Sequence, residues 1–341
     1  MSERASSEHL ETLRRLSVAG GPLGLDAETA TKSNPAWYVD GERTEARKLL
    51  HDRLLSDAVQ EVPELGAERR AVVLAGPPGA GKTSTRERAL GDVSKDFLVV
   101  DADEFKARLL REAITDGSYE SWIKPAAVRE REAAGERFHP MELSSLVHAE
   151  SSDLADALRQ DAIAARKNIV IDTVLSSDTK ARQIMGELER TGYDVQVVDV
   201  EVPREVSEER IQKRWREGNA RAEKGEGLGG RWVPSEFGAW VYGEPDGGSR
   251  SEVNARMVAE ESPAVSRYRV YRKTAEQEQA DPRAPAVLET DMSRATRGGP
   301  LVPTRSGSAA EVPQARALPG VTRAGRTTPG RVGPARVDRG R

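Results

Sequence analysis

Eight consecutive residues, 76–83, have the types and spacing of a phosphate-binding loop. They read Gly-x-x-x-x-Gly-Lys-Thr and directly follow an apolar run over residues 71–75. Glycines allow the backbone to curl around a phosphate with its N–H groups pointing inward, because they carry no Cβ atom. Lys82 supplies a positive charge for the β- and γ-phosphates, and Thr83 a hydroxyl for Mg²⁺. We therefore expect the following residues to bind a nucleoside triphosphate: Gly76, Pro77, Pro78, Gly79, Ala80, Gly81, Lys82 and Thr83.

Aspartates follow two later apolar runs. Residues 97–100 lead into Asp101 and Asp103, and residues 169–171 end on Asp172. If both runs are strands of one parallel sheet, these side chains share a crevice with the phosphate loop. Asp103 is then placed to accept the proton of a substrate hydroxyl, and Asp172 to hold Mg²⁺ directly or through water. An aspartate at a strand end is also a common helix N-cap, which is the alternative for either residue.

A basic helix followed by a glycine-rich segment is the third chemical feature. The predicted helix at 204–216 has four basic residues between 210 and 216, and five glycines between 218 and 230 precede Arg231. This pattern fits a lid that closes over the triphosphate and brings arginine to the transferring phosphoryl group. We expect Arg214 and Arg231 to have that role. The alternative is a solvent-exposed helix with a mobile loop.

The sequence around these motifs alternates strand-like and helix-like segments. Such alternation predicts an α/β fold of the P-loop kinase type, in which helices flank a parallel sheet and the ligand lies at the carboxyl ends of the strands. The predicted strands cover residues 71–75, 97–100, 169–171 and 195–202, with weaker ones at 268–271 and 286–288. The predicted helices cover residues 44–61, 82–90, 104–112, 141–166, 177–191 and 204–216.

The composition excludes several kinds of site. The chain contains no cysteine, so it has neither disulfides nor a thiolate zinc site. Its histidines lack metal-ligand spacing, and we expect each to be an ordinary surface or helix residue. The first residues are charged throughout and no run of eighteen apolar residues occurs, so we expect a cytoplasmic protein with no membrane partner. The histidines are His9, His51, His139 and His148.

Residues 291–341 differ in charge from the rest of the chain. They contain ten arginines and three acidic residues, in a chain whose net charge is −4, so the remainder is an acidic body. We expect this Pro/Gly/Arg-rich tail to be disordered and dispensable for chemistry; the alternative is a weak tether to nucleic acid or an anionic surface. The predicted division is a partly flexible N-terminal extension at 1–40, a kinase domain at 41–290 and the tail at 291–341.

Five motifs together resemble one family, the zeta toxins, which are P-loop kinases of bacterial toxin–antitoxin systems. The resemblance covers about residues 40–275. A P-loop alone is shared by many enzymes, whereas a DxDxFK element one strand later and an RxxP element after the lid are much more specific. The motifs are GPPGAGKT (76–83), VVDADEFK (99–106), NIVIDT (168–173), the KR pair at 213–214 and RWVP (231–234).

The resemblance implies that ATP or GTP, with Mg²⁺, phosphorylates the 3′-hydroxyl of UDP-N-acetylglucosamine, which starves peptidoglycan synthesis. It implies Asp103 as the base and Lys82, Arg214 and Arg231 as stabilisers of phosphoryl charge. Thr83 and Asp172 would hold the metal. A UDP-sugar would contact residues of the second and third strand ends and an acidic residue of the long helix. These residues are Asp103, Asp172 and Thr173, with Glu150 or Asp156 as the candidates on the helix.

The third strand departs from the family pattern, since Asp172, Thr173 and Val174 stand where founding members have Glu-Gly-Thr or Asp-Gly-Thr. Three alternatives therefore stay open. They are a P-loop kinase of another small molecule such as an antibiotic or metabolite, a polynucleotide 5′-hydroxyl kinase and a non-enzymatic nucleotide switch. The acidic body disfavours binding to a nucleic-acid duplex, and Asp103 disfavours a pure switch. No segment resembles an antitoxin, so an inhibitor would be a separate, plausibly helical chain that blocks the nucleotide site.

Overall fold

The computed structural model of the chain describes residues 3–243 and 248–304. Its strands in that part of the chain are β1 (Tyr38–Val39), β2 (Glu42–Arg43), β3 (Arg70–Ala75), β4 (Leu98–Asp101), β5 (Ile169–Asp172), β6 (Asp194–Glu201), β7 (Val265–Arg272), β8 (Val287–Ser293) and β9 (Val302–Pro303). Its α-helices there are α1 (Glu3–Leu16), α2 (Glu45–Gln60), α3 (Lys82–Leu90), α4 (Ala102–Thr115), α5 (Ala126–Ala133), α6 (His148–Ala164), α7 (Asp178–Arg190), α8 (Arg204–Ala222), α9 (Ser235–Tyr242), α10 (Arg250–Glu261) and α11 (Ala275–Ala280). Short 3₁₀ segments lie at Thr31–Ser33, Gly91–Asp96 and Pro140–Val147, and a π-helical turn at Tyr119–Ile123.

Seven strands form one sheet in the order β4-β5-β3-β6-β7-β8-β9. The first five are parallel, as predicted, and β8 and β9 are antiparallel additions at one edge. The small hairpin β1–β2 lies apart from it. The α/β class and the first four predicted strands are confirmed. The segment predicted as a weak strand at 268–271 is the longer β7, which pairs on both sides.

Both faces of the central strand β3 are buried. Side chains in a strand alternate between faces, so Ala71 and Val73 join a large core with residues of α4, α6 and α7. Val72 and Leu74 join a smaller core with α3 and the first turns of α8. A parallel strand covered on both sides reads as a continuous apolar run, which is why β3 was readable from the sequence.

The tail predicted to begin at Asp291 begins later. Asp291 lies inside β8, opposite Arg269, and its carboxylate pairs with Arg267 at 2.6 Å. Arg294 then donates to the backbone carbonyls of Ala259 and Glu260, each at 2.9 Å. Main-chain pairing and arginine–carbonyl hydrogen bonds hold this segment in place. Because neither requires a periodic apolar pattern, the hydropathy of the sequence did not indicate that the segment is folded. The boundary at 290 is therefore wrong and moves to 304, while residues 305–341 lie outside the described residues.

The described part of the predicted N-terminal extension packs onto the body. Leu13 and Leu23 are fully buried, and Trp122 donates from its indole N–H to the carbonyl of Ala30 at 3.3 Å. His9, His51 and His139 are buried, so the surface alternative is wrong for these three, whereas His9 in α1 and His51 in α2 are helix residues, which was the other alternative. In the described part of the chain, no helix is both long enough and apolar enough to cross a membrane.

Candidate functional site

The predicted phosphate loop connects the carboxyl end of β3 to the amino end of α3. Gly76 has a φ of +137°, and a Cβ atom there would lie 2.3 Å from the carbonyl oxygen of Val200. Only glycine fits this position, so the loop can pass close to β6. Lys82 is the first residue of α3, and its ammonium donates to the carbonyl of Gly76 at 2.9 Å. Thr83 follows it with an exposed side chain at the helix N-terminus, where a metal–phosphate group would sit.

The outer side of the loop is fixed by α8. The guanidinium of Arg210 donates to the carbonyls of Gly79 and Ala80, at 3.2 Å and 3.1 Å. Ser207 donates its hydroxyl to the carbonyl of Pro78 at 2.7 Å. Arg210 is itself held by both carboxylate oxygens of Glu278 in α11, at 2.9 Å and 2.6 Å. These bonds draw loop carbonyls outward.

Sequence reasoning did not assign this role to Arg210. Its position four residues before Arg214, on the same helix face, was the available signal. Nothing in the sequence connects Arg210 to Glu278, because the two are joined only when α11 folds back on α8.

Asp103 lies in the first turn of α4, directly after β4. Asp101 is the N-cap of this helix and accepts from the backbone N–H of Asp103 at 2.8 Å, so the capping alternative holds for Asp101. The carboxylate of Asp103 accepts from Lys106 at 3.0 Å and forms an ion pair with Arg231. Burial acts to raise the pKa of Asp103, but Arg231 and Lys106 outweigh it and hold that pKa well below its usual range.

Asp172 lies between Lys82 and the other two aspartates. It ends β5 opposite Asp101 of β4, and its carboxylate is 3.9 Å from the ammonium of Lys82. Burial raises the pKa of Asp172, while Lys82 acts in the opposite direction. Burial, Asp103 and Asp172 raise the pKa of Asp101 to about 7. Three carboxylates therefore share this crevice with Lys82, Lys106 and Arg231.

The residues present fit Mg²⁺. The exposed hydroxyl of Thr83 and the carboxylate of Asp172 both lie beside Lys82, where phosphate oxygens would complete the coordination. Across the described ranges, no group of three or more His, Asp or Glu could hold a metal unaided. This agrees with a magnesium ion that is held largely by phosphate and water. Bound there, the ion would neutralise phosphate charge.

The glycine-rich segment before Arg231 is packed at its end. A Cβ atom on Gly230 would lie 2.0 Å from the carbonyl oxygen of Trp215, and one on Gly218 2.5 Å from the Cα of Gly230. The expectation of a freely flexible turn is wrong for this part, because glycine here permits close helix–loop contact. Of the five glycines between residues 218 and 230, Gly225 and Gly227 have open space around them.

The two predicted arginines approach the same crevice from different segments. Arg231 reaches Asp103. Arg214 is exposed on α8 and has no ion-pair partner among the described residues. Its pKa is lowered by desolvation and by Arg231, while Asp103, Asp101 and Asp172 act in the opposite direction. The charge of Arg214 therefore interacts with the three carboxylates of the crevice.

Glu150 does not face the crevice. It is fully buried and accepts two bonds from Arg47, each at 2.6 Å, one from His51 at 2.7 Å and one from Tyr38 at 3.1 Å. Burial opposes ionisation, but His51 and Arg47 lower the pKa of Glu150 to about 2. With its oxygens occupied by α2 and β1, Glu150 anchors α6, so the prediction of a substrate contact is wrong. Asp156 is partly exposed and pairs with Arg159 and Lys180.

Thr173 lies at the carboxyl end of β5 and is half-buried. Its hydroxyl accepts from the backbone N–H of Leu175 at 3.0 Å, and Leu175 has a φ of +54°. The carbonyl of Leu175 in turn accepts from Asn254 at 2.8 Å. Local turns therefore hold the loop that lacks the family's glycine.

His148 and Lys106 were not among the predicted site residues. Lys106 is buried beside Asp103, and the first residue of α6, His148, faces both. Burial and Lys106 lower the pKa of His148 to about 4, so its imidazole is neutral at neutral pH. Lys106 follows Asp103 at helical i, i+3 spacing, which was an available signal, whereas no spacing connects His148 to them because α4 and α6 meet only in the folded chain.

Three solved structures of the complex AvrRxo1-ORF1:AvrRxo1-ORF2 have a fold similar to that of this chain. The native crystal structure has a TM-score of 0.52 and covers 85% of this chain and 76% of that chain. The structure with sulphate ions has a TM-score of 0.51 and covers 78% and 72%. The structure with ATP has a TM-score of 0.50 and covers 74% and 68%. Each is 19% identical to this chain, so the similarity concerns the fold.

No curated protein sequence matches the chain significantly. The family model for Zeta toxin matches residues 54–278. The matched region contains the phosphate loop, the three aspartates and both arginines of the crevice. Because the match extends over more than half of the sequence, the chain belongs to the zeta toxin family.

Proposed function

We propose that this protein transfers the γ-phosphoryl group of ATP or GTP to a hydroxyl of a sugar nucleotide, the 3′-hydroxyl of UDP-N-acetylglucosamine. The observation that carries the proposal is the ion pair between Asp103 and Arg231, opposite the P-loop lysine. A base for a hydroxyl and a cation for a phosphoryl group then meet where the γ-phosphate would end. A non-enzymatic nucleotide switch would not need a base for a substrate hydroxyl.

The nucleotide half of the reaction is supported by the loop geometry. Lys82 would leave the carbonyl of Gly76 for the β- and γ-phosphates, and the N-terminus of α3 adds its dipole. Arg214 and Arg231 would stabilise the charge that develops on the transferring group. Thr83 and Asp172 would hold Mg²⁺. A related fold solved with ATP supports a nucleoside triphosphate as donor.

The resting pair also sets the order of events. In the absence of nucleotide, Arg231 holds the pKa of Asp103 low, so the carboxylate is a weak base. The charge of a bound triphosphate would draw Arg231 towards the γ-phosphate and raise the pKa of Asp103 again. Asp103 would then accept the proton as the acceptor oxygen attacks phosphorus and the nucleoside diphosphate leaves. Base activation would thus depend on the presence of the donor.

The acceptor is tested directly with purified protein, ATP, Mg²⁺ and UDP-N-acetylglucosamine. We expect a product heavier by one phosphoryl group, with the phosphate on the 3′-oxygen by NMR. UDP-glucose, aminoglycosides and nucleic-acid 5′ ends are incubated in parallel, and GTP replaces ATP in a second series. Phosphate on one of those alcohols alone would replace the sugar nucleotide as acceptor, and nucleotide hydrolysis without transfer to any of them would contradict the kinase proposal.

We also propose that a separate antitoxin chain restrains the enzyme. Family membership supports this, and the fold neighbours are themselves two-protein complexes. A short, helical protein encoded by an open reading frame beside that of this chain is co-expressed with it. This protein should restore growth and block nucleotide binding. Growth arrest by the protein alone, absent in a Lys82→Ala variant, is the matching control.

A further inference from the structure

A buried carboxylate joins three parts of the chain behind the active site. Glu142 is 1% exposed, and its two oxygens accept four hydrogen bonds. One oxygen accepts from Trp215 at 2.7 Å, Asn219 at 2.8 Å and His9 at 3.1 Å. The other accepts from the backbone N–H of His139 at 2.7 Å. Four donors around one buried carboxylate fix the orientation of every group that takes part.

The network leads to the catalytic arginine through Asn219. The amide of Asn219 donates to Glu142 from nitrogen, so its oxygen is free to accept from the backbone N–H of Gly230 at 2.7 Å. Gly230 also lies against Trp215. Arg231, which pairs with Asp103, is the next residue. Two hydrogen bonds, from Asn219 to Glu142 and from Gly230 to Asn219, therefore connect the buried carboxylate to the backbone that orients Arg231.

The other end of the network is the N-terminal helix. His9 in α1 is 3% exposed, and its second ring nitrogen is 2.7 Å from the carboxylate of Glu136. The ring also stacks on Trp215, with centroids 5.9 Å apart. Burial alone would lower the pKa of His9, but Glu142 and Glu136 together raise it, so both nitrogens can donate. Residues 1–53, which include α1, lie outside the region matched by the family.

We propose that His9 is a positioning residue for phosphoryl transfer, which acts through Glu142 and Asn219 to hold Arg231 against the base and the transferring group. The inference rests on the proposed function and extends it, because it gives the N-terminal helix a part in the active site. The phosphate loop is bound by other partners, Arg210 and Ser207. Loss of the His9 contacts should therefore impair transfer and leave nucleotide binding intact.

The test is a double-mutant cycle with UDP-N-acetylglucosamine as the acceptor probe. His9→Ala should lower kcat about 10-fold, since a small displacement of a charged group costs this much or more. The Kd of a fluorescent ATP analogue should stay within about twofold of wild type. In an Arg231→Ala background His9→Ala should cause no further loss, because the two act through one contact. His9→Gln, whose amide can still donate to Glu142, should recover most of the rate.

Arg14→Ala is the matched control, because it breaks an exposed pair with Glu11 on the same helix. An equal loss in that control, or equal losses by His9→Ala in both backgrounds, would overturn the proposal. Hydrogen exchange of residues 228–233 is measured alongside and needs no acceptor. It should speed up in His9→Ala and not in Arg14→Ala, and unchanged exchange would also overturn the proposal. If His9→Ala does not fold, Asn219→Ala replaces it in the cycle and in the exchange measurement. Failure of wild-type protein to phosphorylate the probe, with the exchange result as expected, would contradict the substrate alone.

Discussion

At the scale of single residues, Lys82 and Asp103 lie in different parts of the crevice. Lys82 lies at the loop, where its ammonium is bonded only to the carbonyl of Gly76 and lies near Asp172. Asp103 lies two strands away in the sheet order, on the far side of β5. Substitutions at the two residues should consequently have different kinetic signatures.

Lys82→Ala should abolish nucleotide turnover while the protein stays folded, because this lysine contacts the loop and no core side chain. Turnover is measured by phosphate release and transfer, and folding by circular dichroism and a thermal melt. If this variant turned over nucleotide at the wild-type rate, the assignment of residues 76–83 as the phosphate-binding loop would be wrong.

Asp103→Asn is nearly isosteric but cannot take a proton. Acceptor phosphorylation should fall by about 100-fold or more, the usual scale of general-base catalysis. The Kd for nucleotide should change little. A large loss of nucleotide affinity with transfer retained would make Asp103 a ligand of the metal or a structural residue.

At the scale of elements, one buried and one partly buried ion pair fix helices that surround the sheet. Glu150 attaches α6 to α2 through Arg47 and His51. Glu278 attaches α11 to α8 through Arg210, which in turn holds the phosphate loop. The first pair should matter for folding and the second for nucleotide binding.

Glu150→Gln should destabilise the fold near neutral pH, by on the order of 3 kcal/mol for a pKa held about two units below its ordinary value. Because the folded-state pKa of Glu150 is depressed to about 2 from 4.5, its contribution is present above pH 4.5 and is lost as the pH falls towards 2. The difference in melting temperature between wild type and variant should therefore shrink over that range. Wild-type stability together with a raised KM for the acceptor would instead show that Glu150 contacts the substrate.

Glu278→Gln should weaken nucleotide binding roughly tenfold, because Arg210 loses its charged partner and holds the loop carbonyls less firmly. The kcat at saturating nucleotide should change much less. Glu208→Gln, which breaks an exposed pair with Arg204 on α8, is the control. A Kd in Glu278→Gln equal to that of the control would show that the loop keeps its shape without the Glu278–Arg210 ion pair.

At the scale of the whole molecule, the folded unit extends further towards the C-terminus than its composition suggests. β8 and β9 complete the sheet, and Arg294 and Arg297 bind backbone carbonyls of the body. The described residues belong to one compact unit that ends at Thr304.

Two truncations test this boundary. Ending the chain after Thr304 should leave turnover and melting temperature nearly unchanged and weaken any salt-sensitive adsorption to DNA. Ending it after Thr290 removes residues 291–293 of β8, all of β9, Arg294 and Arg297, and should lower the melting temperature by roughly 5 °C or more. Equal melting temperatures for the two truncated proteins would restore the earlier boundary.

The sequence by itself determined the α/β class, the phosphate loop, the parallel strands and the aspartates that follow them. These features are local, since a period of two, an apolar run or a glycine-rich turn is determined within a few residues. Which charged side chains form ion pairs with one another depends on the tertiary structure. Glu150 is bonded to Arg47 and His51, which lie about 100 positions earlier, and not to the crevice. Arg210 donates to the phosphate loop, 130 positions before it. Such pairings depend on how helices pack across the sheet, and no spacing along the chain encodes them.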